Sequence, residues 1–335
     1  MSVDLKSEYL GLTLKSPIVV SACPLTANID VLKRLERVGA GAAVLPSLFE
    51  EQIEFEERMF GGLVDYGAES FAEAGTYFPE LDTYNTGPDN YLELISQAAA
   101  AVKMPVIASL NGVTSGGWTR YARMMEDAGA AAIELNTYYL STDANVTGEQ
   151  IEQNYLELVA EIRKTISIPL AVKIGPFFSS LPNFARRLVE AGADGLVLFN
   201  RFFQPDLDVD RMMIDPHMEL SRRTENRLPM RWIGIIDAQV ETSLAANSGI
   251  HTAVDILKML LVGADVAMLT ATIIRHGPEH IEHLLTDLRN LLTEHGYRSV
   301  SQLRGSFNHK NTPDPGAFER HNYMKSLVSY VVDVS

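Results

Sequence analysis

The run SGIHTAVDILKMLLVGADVAML at 248–269 contains one complete structural repeat. Small and hydroxyl residues open it, and TAVDILKMLLV follows with apolar positions at helical spacing. A Gly-Ala pair then leads directly into the apolar stretch DVAML. Glycine just past a helix supplies the left-handed cap, and a β-rich apolar run behind it reads as a buried parallel strand. Working outward, the same junction recurs as EAGADGLVL at 190–198, DAGAAAIEL at 127–135 and RVGAGAAVL at 37–45. Between these lie strands led by a proline, where no ladder donor is yet required: KSPIVVSA at 15–22, KMPVIASL at 103–110 and SIPLAVKI at 167–174.

The two kinds alternate along the chain, as strands one to six and strand eight, and leave one vacancy between 199 and 261. RWIGII at 231–236 and TSLAANSG at 242–249 compete for it. LPMRWIGIIDAQ carries a proline suited to a helix first turn, so helix is assigned to 229–239 and strand seven to 243–247. Eight parallel strands alternating with helices predict an α/β fold, a closed (β/α)8 TIM barrel. A doubly wound open sheet is the runner-up, but the G-x-G-x-x-G turn after strand one is absent. The expected division is one barrel over 1–305 and a tail, 306–335, packing on the barrel or at an interface. Long loops are expected at 48–90 and 201–228 on the carboxyl face of the strands, where barrel enzymes place their sites.

The 335 residues include 43 acidic and 28 basic side chains, a formal charge of −15, and 46% are hydrophobic. That charge, with no Lys/Arg-rich run, argues against nucleic acid and anionic membrane as partners. The amino terminus does not read as a secretory signal, and no run reaches membrane-spanning length. The single cysteine, Cys23, agrees with a reducing compartment. A cytoplasmic enzyme acting on a small molecule, homodimeric by default, is the expectation.

The strand ends carry Ser21, Ala22 and Cys23; Pro46 and Ser47; Ser109 and Asn111; Asn136; Lys173; Asn200; Asn247, Ser248 and Gly249; and Thr270 to Thr272. No acid or histidine cluster with metal-ligand spacing stands among them, which disfavours a metal hydrolase. Lys173 places an ammonium inside an apolar strand, where an anionic or polar partner must offset its desolvation. Three readings stay open for it: a rim lysine binding a carboxylate, a Schiff-base nucleophile, or a cation facing negative charge on a cofactor ring. Ser248, Gly249 and the following amides, beside Thr270 and Ala271, suit either phosphate binding or ordinary helix capping. Asn136 and Asn200 would join Lys173 around one central ligand.

The runs YLGLTLKSPIVVSACPLT at 9–26, ELN at 134–136, PLAVKI at 169–174, SGIHTAVDILKMLLVGADVAML at 248–269 and HGYRSVSQLRG at 295–305 resemble the dihydroorotate dehydrogenase family, its soluble class most of all. The resemblance implies FMN at the carboxyl face of the barrel and dihydroorotate-to-orotate chemistry in pyrimidine biosynthesis. It places Ser21, Ala22, Cys23 and Ser47 along the flavin, Asn136 and Asn200 beside it, and Lys173 against the ring. Ser248, Gly249, Thr270 and Ala271 would hold the phosphate. The substrate half departs from the family pattern. Tyr139 stands at the position of the family's Cys or Ser base, with Tyr138 and Ser141 as further proton acceptors. Leu45-Pro46-Ser47 replaces a family lysine, and AGTYFPE at 74–80 is a loose counterpart of its substrate loop. These departures predict weak dihydroorotate turnover and another unsaturated or carbonyl-conjugated substrate. The competing expectations are a lysine-dependent aldolase or lyase built on Lys173, and a non-catalytic flavin binder. Under the flavin reading, removing the Lys173 side chain is expected to leave the barrel intact while impairing flavin reduction.

Overall fold

The computed structural model describes residues 3–54, 87–114, 116, 119–202, 204–215, 219–319 and 323. Most of the 48–90 loop, the AGTYFPE stretch and nearly all of the tail beyond 319 lie outside the described residues.

The chain opens with a hairpin, β1 (Ser7–Tyr9) and β2 (Leu12–Leu14), followed by β3 (Ile18–Val20), α1 (Ile29–Val38) and β4 (Ala42–Phe49). Helix and strand then alternate: α2 (Pro88–Ala101), β5 (Val106–Asn111), α3 (Arg120–Asp127), β6 (Ala132–Asn136), α4 (Gly148–Thr165), β7 (Leu170–Ile174), α5 (Leu181–Glu190) and β8 (Gly195–Leu198). A short hairpin, β9 (Asp206–Asp208) and β10 (Met213–Asp215), interrupts the pattern. After it come α6 (Arg227–Asp237), β11 (Ser243–Asn247), α7 (Ala253–Val262), β12 (Val266–Leu269), α8 (Ala271–His276), α9 (His280–Glu294) and α10 (Val300–Leu303).

Eight strands close a parallel barrel in the order β11-β12-β3-β4-β5-β6-β7-β8. Closure through the β12–β3 and β8–β11 pairs excludes the open sheet. Each expected strand is present, and the vacancy is filled by β11 over the residues assigned to it. The helix expected at 229–239 begins two residues earlier, with Pro229 in its first turn. The glycines of the four Gly-Ala pairs, Gly39, Gly129, Gly192 and Gly263, all have φ between +102° and +117°, a conformation costly for any side chain with a Cβ.

One expectation is corrected. Strand two does not end at Leu45: β4 continues through Pro46 and Ser47 to Phe49. A register shift against β5 between Val44 and Ser47 absorbs the proline, which has no N–H for the ladder. The amino-terminal segment belongs to the barrel core. Tyr9, Leu10 and Leu14 pack with Val19, Val44, Ile107, Val197 and Val266, side chains inside the barrel, and so close its amino-terminal end. Gly195 leaves room for Leu10 there: a Cβ would stand 2.5 Å from Leu10 Cδ2 and 3.1 Å from the Ser243 carbonyl oxygen.

Residues 306–319 continue onto the barrel helices. The Phe307 N–H donates to the Leu261 carbonyl (2.8 Å), the His309 N–H to that of Gly234 (2.9 Å), and the Asn308 amide to Asp237 (2.7 Å). With the amino-terminal end plugged, open space remains at the carboxyl ends of the strands.

Candidate functional site

Strand alternation sets the lining of the mouth. In β6, Ala132, Glu134 and Asn136 share the interior face, and in the neighbouring β7 so do Ala171 and Lys173, with Asn136 opposite Lys173 in the register. The Lys173 ammonium is buried, 3.2 Å from Glu134 Oε1 and 3.4 Å from the Ser21 hydroxyl. Glu134 has no exposed surface, and among the described residues its Oε2 has no hydrogen-bond partner. The pair satisfies the first of the three readings of Lys173, the carboxylate partner, while the lysine also faces a cavity.

That cavity, of about 170 Å³, lies between the ends of β3, β7, β8, β11 and β12. It brings together Ser21, Ala22, Lys173, Asn200, Asn247, Ser248, Gly249, Thr270 and Ala271, nine residues singled out from the sequence. It adjoins a second cavity of about 630 Å³, with which it shares Asn200, Arg201, Glu219, Asn247 and Ser248. Asn136 and Asn200 are joined directly, the Asn200 amide donating to Asn136 Oδ1 at 2.5 Å.

The loop after β11 turns through two residues of positive φ, Ser248 (+85°) and Gly249 (+70°). Behind it the start of α7 is capped by its own residues. Asp255 accepts the N–H of His251 (3.2 Å) and of Thr252 (2.9 Å), and the Thr252 hydroxyl completes a capping box. The capping reading therefore holds for the helix start, while Ser248 and Gly249 remain on the cavity wall. Thr272 is buried, its hydroxyl donating to the Ile250 carbonyl at 2.7 Å, and so ties the two loops together.

Burial pushes the Asp255 carboxyl up, but hydrogen bonds from Arg223, Thr252 and the His251 amide outweigh it, and the group lies below the usual carboxylate range. A lowered folded value means that this network stabilises the protein above the unfolded carboxyl pKa, about 3.9, and that the gain is lost as pH falls through the folded value. Melting temperatures of the wild type and Asp255→Asn should therefore differ at neutral pH and converge on acidification. A constant difference would place the stabilisation elsewhere.

The remaining predicted residues do not line the Lys173 cavity. The Cys23 side chain is buried in the core, and burial pushes its thiol up. Ser47 bonds to Ser109, hydroxyl to hydroxyl, at 2.8 Å. Tyr139 and Ser141 line a third cavity, of about 200 Å³, with Ile151, Tyr155, Phe177, Phe178 and Phe202. The Tyr155 hydroxyl there is pushed up to about 12 by burial. Phe177 and Phe202 also line the 630 Å³ cavity, so the aromatic pocket adjoins the mouth.

The residue that sequence reasoning missed is Glu134. It stands in the quoted ELN run, and the available signal was an acid inside an apolar strand next to a strand bearing an interior lysine.

Fold and site together define a (β/α)8 barrel with a buried lysine, amides and hydroxyls gathered at its carboxyl face. No family model matches the chain. Curated relatives do match it over nearly its whole length, and all three that follow are named "Dihydroorotate dehydrogenase B (NAD(+)), catalytic subunit". That of Desulforudis audaxviator is 26% identical over 318 residues, 91% of this chain and 98% of the relative. That of Bacillus pumilus is 25% identical over 310 residues, covering 90% and 96%. That of Thermoplasma acidophilum is 22% identical over 311 residues, covering 90% and 98%. Over about nine-tenths of its length the chain is similar to these dihydroorotate dehydrogenases. Among the described residues, no helix is long and apolar enough to cross a membrane.

Proposed function

We propose that this chain is an FMN-dependent oxidoreductase of the dihydroorotate dehydrogenase kind, acting on a CH–CH bond of a small molecule. The observation that carries this reading is the meeting of Lys173, Asn200, Ser248, Gly249, Thr270 and Ala271 in one cavity at the carboxyl face. The donor set suits a flavin mononucleotide. A buried ammonium and an amide match a heterocycle of alternating donors and acceptors, and hydroxyls and backbone N–H groups on two adjoining loops match a phosphate. When bound, FMN supplies the hydride acceptor.

The chain's own residues then have separable tasks. Ser248, Gly249, Thr270 and Ala271 hold the phosphate end. Asn136 and Asn200, bonded to each other, orient the ring from β6 and the β8 end. Lys173, steadied by Glu134 and Ser21, keeps a positive charge where negative charge develops on reduction. As hydride leaves one substrate carbon, the proton on the neighbouring carbon would be accepted by a side chain of the loop after β6, where Tyr139 and Ser141 stand in the aromatic pocket beside the mouth.

The aldolase alternative fares worse on one observation. A Schiff-base nucleophile must act as a neutral amine, and a neutral Lys173 would leave the Glu134 carboxylate buried without its counter-charge. The purified protein should carry, or take up on titration, one FMN per chain, with the visible flavin spectrum. Protein that stays colourless and leaves added FMN fluorescence unchanged overturns the proposal.

A further inference from the structure

The barrel interior below the mouth carries a polar layer. Alternation and register place Ser109 of β5 opposite Glu134 of β6 on the inward face, and Ser47 of β4 opposite Ser109. Tyr9 enters from the amino-terminal plug and packs with Ile107, Ala132 and Ala171, the inward residues two positions before Ser109, Glu134 and Lys173. The Glu134 carboxylate therefore has the Lys173 ammonium on the side of the mouth and Tyr9 on the side of the plug.

Two side-chain oxygens here, the Tyr9 hydroxyl and Glu134 Oε2, are buried and have no hydrogen-bond partner among the described residues. Burial above all, and then the charges of Glu134 and Asp265, push the Tyr9 hydroxyl well above its ordinary range, so it stands as a donor at neutral pH. A donor and an acceptor enclosed in one interior, each lacking a partner and too far apart to bond directly, are the setting for a buried bridging water. The Ser109 hydroxyl, opposite Glu134 and bonded to Ser47, supplies a third polar partner. A carboxylate held by an ammonium and a bound water stays ionised, and its charge acts on whatever Lys173 faces.

On the flavoenzyme reading above, we infer that a water bound between Tyr9, Glu134 and Ser109 holds Glu134 ionised beneath Lys173, and that Glu134 is thereby a positioning residue that lowers the reduction potential of the flavin. Lys173 favours negative charge on the ring. Glu134 shares the ammonium and offsets that pull, so the reduced flavin passes its electrons on more readily.

Equilibration of the FMN-loaded protein with a redox dye of known potential reads the effect. Glu134→Gln is expected to raise the equilibrium for flavin reduction at least about tenfold, about 30 mV for a two-electron couple. Glu134→Asp keeps the charge and should stay within about threefold of the wild type. Tyr9→Phe keeps the ring in the plug, and by weakening the hold on the carboxylate should move the equilibrium in the same sense as Glu134→Gln. Its stability tests the water without any flavin. Removing an orphaned hydroxyl would raise the denaturant midpoint, whereas losing a bridge to Glu134 lowers it. That loss should shrink in the Glu134→Gln background, because the two side chains share one water. A Tyr9→Phe protein at least as stable as the wild type overturns the inference. So does a potential unmoved in Glu134→Gln and Tyr9→Phe, or moved equally in Glu134→Asp. Either result in a protein that takes up FMN defeats this inference alone, and a protein that takes up no FMN defeats the flavoenzyme reading and the redox role of Glu134 with it.

Discussion

Lys173→Met is expected to lose about 3–5 kcal/mol of stability, the cost of leaving a buried carboxylate without its partner, and to impair flavin reduction as well. The sequence alone predicts that removing this side chain spares the barrel. The structure reverses that expectation, because Glu134 is fully buried and, among the described residues, Lys173 is the cation paired with it, at 3.2 Å. Loss of a cation at the rim and loss of the pair's balance are separable. The double variant Lys173→Met, Glu134→Leu removes both charges and should recover most of the stability, since a buried ion pair replaced by apolar groups is often neutral or stabilising. Flavin reduction should stay impaired in the double variant. Denaturant midpoints measure the first effect and stopped-flow absorbance the second. A single variant as stable as the wild type would show that the pair is not held as described.

Gly249→Ala is expected to cost FMN affinity by about tenfold or more, and stability by roughly 1–3 kcal/mol. Gly249 has φ +70°, and a Cβ there would stand 2.4 Å from the Asn226 backbone nitrogen and 2.9 Å from the Arg222 carbonyl oxygen. Both neighbours are backbone, so the loop after β11 has to move, and the cavity wall at Ser248 moves with it. Ser248→Gly is the informative contrast. Ser248 holds φ +85° with a side chain, so glycine relieves strain of about 1 kcal/mol while keeping the wall in place. Titration of FMN fluorescence and thermal melts should move in opposite senses for the two variants' stability. Equal affinity in Gly249→Ala and the wild type would remove this loop from the phosphate site.

The elements legible in the sequence were those whose signals are local. Glycine just past a helix, proline at the head of a strand and apolar spacing within one segment act over a few residues. Their repetition around the chain leaves a closed barrel as the way to bury eight consecutive parallel strands. The polar strand ends followed, because a parallel barrel places all carboxyl ends on one face, and nine of the singled-out residues meet there. The pairing of Glu134 with Lys173 was not legible, since it depends on the register between β6 and β7 and on both side chains facing inward. The course of β4 beyond Pro46 depends likewise on a register shift against its neighbour.

Tyr139 shows the same limit at the site. Its position after strand four follows from the chain, but its place among Tyr155, Phe177 and Phe202 depends on the loops after three strands packing together. The sequence by itself determined the barrel and the face on which its polar strand ends gather, because those rest on short-range conformational preference and on burial period. Only the tertiary structure decided which charges neutralise each other and which rings line the mouth. Those depend on contacts between residues far apart in the chain, brought within a few ångströms by strand register and loop packing.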